Sequence, residues 1–148
     1  MYTNIPIDET LTIIYDFLSN HNHNTAYIQQ LISLLSSALN QNYFSYNNKF
    51  FLQKDGLPMG SPLSSLISEI SLQYHENHHI DQVKRQFNIS YYGRYVDDIL
   101  IIYDNINYIS DTILNYFNNI HPKINYTIEK EHNNVINYLD LQLFKLNN

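Results

Sequence analysis

An α+β fold, with an antiparallel sheet and helices packed on one of its faces, is the class this sequence predicts. Three observations point there. Segments with apolar residues at helical spacing are interspersed with short aromatic and β-branched runs rather than segregated from them. Asparagine pairs, Asn47-Asn48 and Asn133-Asn134, stand between such runs, where two-residue hairpin turns belong. The 148 residues, 44% of them hydrophobic, suffice for one core, and no repeat or linker divides them. A single domain over residues 1–148 is therefore expected.

The elements follow in order. Asn4-Ile5-Pro6 turns into a first helix, because proline has the fixed φ of a first helical turn. Asp8 and Glu9 then place negative charge at the positive end of its dipole. Leu11, Ile14, Tyr15 and Leu18 continue at helical spacing until the alternating Asn and His of 20–24 break it. Thr25 is the expected cap of a second helix, with Ile28, Leu31, Ile32, Leu35 and Leu39 on one face. Residues 43–46 and 49–53 read as a hairpin. Asp55-Gly56 opens a loop through Pro58, Gly60 and Pro62. Helical spacing resumes at Leu63, Leu66, Ile67 and Ile70 and is expected to end near Tyr74. Residues 90–95 and 99–103 are strand-like, and 106–117 is helical. Residues 124–128 and 135–144 alternate as strands, with a hairpin expected around Asn133-Asn134.

Composition narrows the function. The chain has no cysteine, which excludes a disulfide framework and a thiolate zinc site. No stretch approaches the ~18 apolar residues of a membrane span, so no membrane partner is expected. The net charge is −6, with only eight Lys and Arg residues. Phosphate contacts come from those residues, so a nucleic-acid partner would need basic surface supplied from elsewhere.

Asp97 and Asp98 stand between two strand-like runs, where a tight turn holds both carboxylates near its tip. Their mutual repulsion is relieved by a divalent cation. Mg²⁺ suits such a pair, because it prefers one or two carboxylates completed by phosphates and water. With two metals, such a site supports in-line phosphoryl transfer. On spacing alone, an ordinary solvated Asp turn is the better reading.

The surrounding residues reverse that balance. Arg94-Tyr95-Val96-Asp97-Asp98-Ile99-Leu100 resembles the Y-x-D-D box of reverse transcriptases. Gly56-Leu57-Pro58-Met59-Gly60-Ser61-Pro62-Leu63-Ser64 resembles that family's G-x-P-x-G-S-P-L-S loop. Asn125-Tyr126-Thr127-Ile128-Glu129-Lys130-Glu131 and Tyr138-Leu139-Asp140-Leu141 resemble the motifs that follow the catalytic hairpin. Four motifs occur in the family's order from Tyr2 to about Phe144. The Met of P-M-G-S-P-L-S, the leading Y-T-N-I-P and the late L-D-L are closest to Penelope-like retroelement polymerases.

The resemblance implies a polymerase palm, part of an RNA-directed DNA polymerase that adds dNTPs to a DNA primer on an RNA template. By it, Asp97 and Asp98 are the catalytic carboxylates and bind two Mg²⁺ ions, for which Mn²⁺ can substitute. Tyr95 and Val96 shape the turn near the primer end. Pro58, Met59, Gly60 and Ser61 line the nucleotide and template site, where Gly60 permits close backbone approach. Met59 stands where most relatives carry Gln, and offers apolar contact only. Tyr2 matches the bulky residue that screens the 2′ position of the nucleotide, and a packed aromatic is the equal alternative. Lys130 loosely matches the lysine that protonates pyrophosphate, although a surface lysine fits better. The family pattern D-x-x-x-L-Y-T-N-I-P puts a third ligand Asp just before Met1. The expectation is a partial palm, with fingers and thumb largely outside the chain. The alternative is a catalytically inactive remnant that binds nucleic acid or protein.

One competing motif remains. His75-Glu76-Asn77-His78-His79 matches H-E-x-x-H, which on a helix aligns two zinc ligands and a base. No third ligand follows at the required spacing. The stretch is read instead as the solvated end of the preceding helix.

Overall fold

The computed structural model describes residues 2–146. The chain forms two compact units, Met1–Glu76 and Asn77–Asn148.

In the first unit a short 3-10 turn, Tyr2–Asn4, leads into α1 (Ile7–Asn20). Pro6 stands at its N-cap in extended conformation, and Asp8 and Glu9 occupy the first turn. Thr10, Leu11 and Ile14 are buried, and the Thr10 hydroxyl donates to the Pro6 carbonyl (2.8 Å). The second helix, α2 (Thr25–Leu39), packs against α1. Its cap is Asn24, not Thr25: the Asn24 side-chain oxygen accepts from the Ala26 and Tyr27 N–H groups. An Asn cap is as good as any, and it leaves Thr25 free to begin the helix. The predicted hairpin follows as β1 (Tyr43–Tyr46) and β2 (Lys49–Leu52). Asn47 and Asn48 both take positive φ (49° and 58°), the conformation that a primed two-residue turn demands and that Asn tolerates.

Helix α3 (Pro62–Gln86) is twelve residues longer than expected and passes through the H-E-x-x-H stretch instead of ending before it. Its polar middle hides a continuing apolar spacing: Ile80 is half-buried, while Val83 and Phe87 just beyond are buried. Tertiary packing of those three residues extends the helix where local composition suggests a stop.

The second unit contains β3 (Ile89–Tyr95) and β4 (Asp98–Tyr103), then α4 (Ser110–Asn118) and the hairpin β5 (Val135–Tyr138) and β6 (Leu141–Phe144). Its core is Val83, Phe87, Ile89, Ile113 and Phe117, ringed by tyrosines. Phe87 meets Tyr108 and Tyr116 edge-on, and Phe117 stacks flat on Tyr92. Such pairs add about 0.5–1.5 kcal/mol each beyond area burial.

Three expectations change here. Helix α4 starts at Ser110 rather than 106, because the Asp104 side chain captures the Ile106 N–H and the Asn107 amide in a local turn. Residues 124–128 are not a strand. The Asn118 side chain brackets the Tyr126 backbone, accepting from its N–H (2.6 Å) and donating to its carbonyl (3.2 Å). Tyr126 thus has its ladder bonds without a partner strand. Asn133 and Asn134 do form a tight turn at positive φ, closed by paired His132 and Val135 bonds, but only as an isolated bridge. The full hairpin turns six residues later, at Leu139-Asp140.

The described residues are mixed helix and antiparallel strand, as expected for α+β. In place of one sheet they form three two-stranded sheets, β1-β2, β3-β4 and β5-β6. Each hairpin is specified by its own two-residue turn, a local device, and the Tyr126 segment expected as a strand is held by Asn118. No helix among the described residues is long and apolar enough to cross a membrane.

Candidate active site

The β3-β4 ladder closes on the pair Tyr95 and Asp98, which leaves Val96 and Asp97 as the two turn residues. Tyr95, Val96, Asp97 and Asp98 are all exposed. Val96 has φ 54°, a left-handed conformation that is strained for a β-branched residue. Two contacts hold it there. Arg94, two residues earlier near the end of β3, donates from Nη1 to the Val96 carbonyl (2.8 Å). Tyr138, at the end of β5, donates its hydroxyl to the Asp98 carbonyl (3.4 Å). The tip of one hairpin is thus tied to the tip of the other. Burial first, then the neighbouring Tyr91 phenol and the Asp98 carboxylate, raise the Tyr138 pKa above its usual 10.0. A backbone hydrogen bond from Tyr95 opposes the shift.

Asp97 and Asp98 supply hard oxygen donors on a fixed turn, which fits Mg²⁺ or Mn²⁺ completed by phosphate and water. Within the second unit, no group of three carboxylate or imidazole ligands gathers around them among the described residues. Lys130 lies on the irregular segment before β5, and its ammonium is 3.0 Å from the Asp111 carboxylate at the start of α4.

In the first unit, the loop from Gly56 to Ser61 is ordered by side chains. The Gln53 amide donates to the Asp55 and Leu57 carbonyls, and the Asn42 amide donates to the Gly56 carbonyl. The Ser64 hydroxyl reaches back to the Pro58 carbonyl (2.6 Å). Half-buried Tyr2 joins this loop through its backbone, where the Leu57 N–H donates to its carbonyl (2.8 Å). Gly56 (φ 73°) packs so close to Thr3 that a Cβ would overlap the Thr3 backbone. Gly56 thus makes a close backbone approach within the protein itself. At Gly60 a Cβ would meet open space, and glycine is required there by φ 89°. Pro58 and Ser61 are half-buried, while Met59 is 75% exposed.

Of the sequence-predicted residues, the structure gathers Tyr95, Val96, Asp97 and Asp98 on one turn, and Tyr2 with the Gly56–Leu57 segment. Arg94, Tyr138 and Ser64, which stand within the quoted motifs, and Asn42 and Gln53, which do not, carry these arrangements. His75 lies within α3, with Nε2 3.7 Å from Glu9 Oε1.

Residues 1–137 match the family model described as reverse transcriptase (RNA-dependent DNA polymerase), and the chain belongs to that family. No curated protein and no solved structure matches it.

Proposed function

We propose that this chain provides palm residues of an RNA-directed DNA polymerase that extends a DNA primer on an RNA template. The observation that carries the reading is the exposed Asp97-Asp98 turn, fixed by Arg94 and Tyr138, within a chain of this family. Asp97 and Asp98 hold two Mg²⁺ ions, or Mn²⁺ in their place. When bound, the ions supply activation of the primer hydroxyl and charge neutralisation at the leaving pyrophosphate. Tyr95 and Val96 face the primer end. Pro58, Met59, Gly60 and Ser61 border the nucleotide and template, with Met59 giving apolar contact only. Tyr2 screens the 2′ position and favours dNTPs. The ion pair with Asp111 weighs against Lys130 as the pyrophosphate acid, since that pair must first open. Met59, the Y-T-N-I-P start and Leu139-Asp140-Leu141 support a Penelope-like subfamily.

The test is Mn²⁺ binding, followed by paramagnetic broadening of amide signals, together with primer extension on an RNA template. Broadening should centre on residues 95–98 and disappear in the Asp97→Asn, Asp98→Asn double variant. Template-dependent incorporation by the polymerase should fall at least about a hundredfold in the same variant, as loss of charge stabilisation at a reacting phosphoryl group requires. Unchanged broadening in the double variant would sink the metal assignment. The second reading, a binding module without catalysis, draws on the exposed aromatic hairpin and predicts nucleic-acid retention without incorporation.

A further inference from the structure

We infer that Gly93 is a positioning residue for the Asp97-Asp98 turn: it seats the Tyr91 ring, which supports the Tyr138 hydroxyl on the Asp98 backbone. The inference deepens the polymerase reading above and rests on Asp98 as a metal ligand. The seat itself is defined by the protein alone. Gly93 lies within β3, where a glycine has no side chain to pack and weakens the strand. Of the three glycines, Gly56 and Gly60 take positive φ and Gly93 does not. Its backbone is therefore open to any residue, and what it supplies is space. A Cβ at Gly93 would lie 2.5 Å from the Tyr91 hydroxyl oxygen and 3.0 Å and 3.1 Å from two carbons of that ring. The Tyr91 ring thus lies over Gly93, in the room that a side chain would fill.

The register shows where this leads. Alternation puts Tyr91, Gly93 and Tyr95 on one face of β3, and their partners on β4 are Ile102, Leu100 and Asp98. The opposite face carries Tyr92, which stacks on Phe117 in the core. The Tyr91 ring therefore runs along the face away from the core, toward the Asp98 end of the ladder. Tyr138 reaches that end from β5, its hydroxyl donating to the Asp98 carbonyl (3.4 Å). After burial, the Tyr91 phenol is the next influence that raises the Tyr138 pKa, ahead of the Asp98 carboxylate, so the two phenols are neighbours. Gly93, Tyr91, Tyr138 and Asp98 thus follow one another toward the turn.

Such a support has work to do here. A metal ligand must be held within about 0.5 Å of its productive place by groups that are themselves locked. Asp97 and Asp98 are exposed, so packing does not order them, and their order comes through the backbone of the turn. Arg94 acts on Val96, and the Tyr138 hydroxyl acts on Asp98. That second bond is long, so it depends on what confines the phenol. Tyr91 is 50% exposed, and the missing Cβ gives its ring one place to lie. The atom that would clash is the far end of a flexible side chain. An alanine at this position displaces the ring and leaves the strand intact, which separates a positioning glycine from a structural one.

The experiment records amide spectra of the metal-free full chain, and its Mn²⁺ affinity, for the parent and for Gly93→Ala, Tyr91→Ala and Tyr138→Phe. Gly93→Ala should move the Asp98 and Ile99 amide signals and weaken Mn²⁺ binding about fivefold, the scale of one net hydrogen bond. Its melting temperature should equal or exceed the parent's, because glycine is the weaker strand residue and only a side-chain end has to move. Tyr91→Ala and Tyr138→Phe should each reproduce that loss of affinity. In either background, adding Gly93→Ala should change nothing further, since the glycine acts only through those two residues. A lowered melting temperature in Gly93→Ala overturns the proposal, because the glycine is then structural. So does a full additional loss when Gly93→Ala is added to Tyr91→Ala, because the space then serves something other than that ring. Asp98 signals unmoved in all three variants overturn it as well. Signal changes in the metal-free chain, with no Mn²⁺ binding by the parent, would leave the seat standing and remove only the metal assignment.

Discussion

Gly56 and Gly60 lie four residues apart in one loop and are needed for different reasons. Gly56 combines a positive φ with backbone contact to Thr3, neither of which can relax cheaply. Gly60 has the positive φ alone. Gly60→Ala should therefore cost about 1–2 kcal/mol, and Gly56→Ala about 3 kcal/mol or more, in urea unfolding. Equal losses would mean that the Thr3 contact carries no weight. At the other hairpin, the fold favours the neutral phenol of Tyr138, so its pKa lies above 10.0. The sign follows: its contribution is intact below pH ~10 and is lost as pH rises through the raised value. Carbon-13 titration of the tyrosine ring should show one residue ionising late, with that step absent in Tyr138→Phe. An unshifted Tyr138 would argue against the tip-to-tip contact with Asp98.

At the scale of elements, short-range chemistry decided most of what was legible. The Asn47-Asn48 turn, the β3-β4 pairing and both early helices follow from residues within a few positions of one another. Two of the misread elements have partners far along the chain, whereas the α4 start and the α2 cap were moved by side chains only two or three residues away. Helix α3 continues because Val83 and Phe87 are buried and Ile80 half-buried, which its polar middle conceals. Residues 124–128 alternate like a strand, yet their backbone partner is one side chain, Asn118. Asn118→Ala should cost about 1–3 kcal/mol and speed exchange of the Tyr126 amide, since both groups lose their partner. Asn118→Asp should keep the acceptor for that amide and lose only the donor. If Tyr126 exchange is the same in all three proteins, a different contact holds the segment.

Across the whole molecule, the second unit depends on aromatic packing around a small aliphatic centre. Phe117 stacks on Tyr92 and meets Tyr126 edge-on. Phe117→Ala should destabilise by about 3–5 kcal/mol, visible as loss of near-ultraviolet tyrosine circular dichroism. A loss under about 1 kcal/mol, the scale of a surface substitution, would mean that this centre is not the core. Family membership was readable from the order of four motifs, because polymerase motifs are local strings and survive without their surroundings. The α+β class was readable too, since periodicity is written along the chain. What only the tertiary structure decided was the way each motif is held. Arg94 and Tyr138 clamp the carboxylate turn, and Gln53, Asn42 and Ser64 order the glycine loop. The three separate hairpins also replace the single expected sheet. The reason is physical: a turn depends on its own residues, whereas a clamp depends on which distant side chains the fold brings within hydrogen-bonding distance.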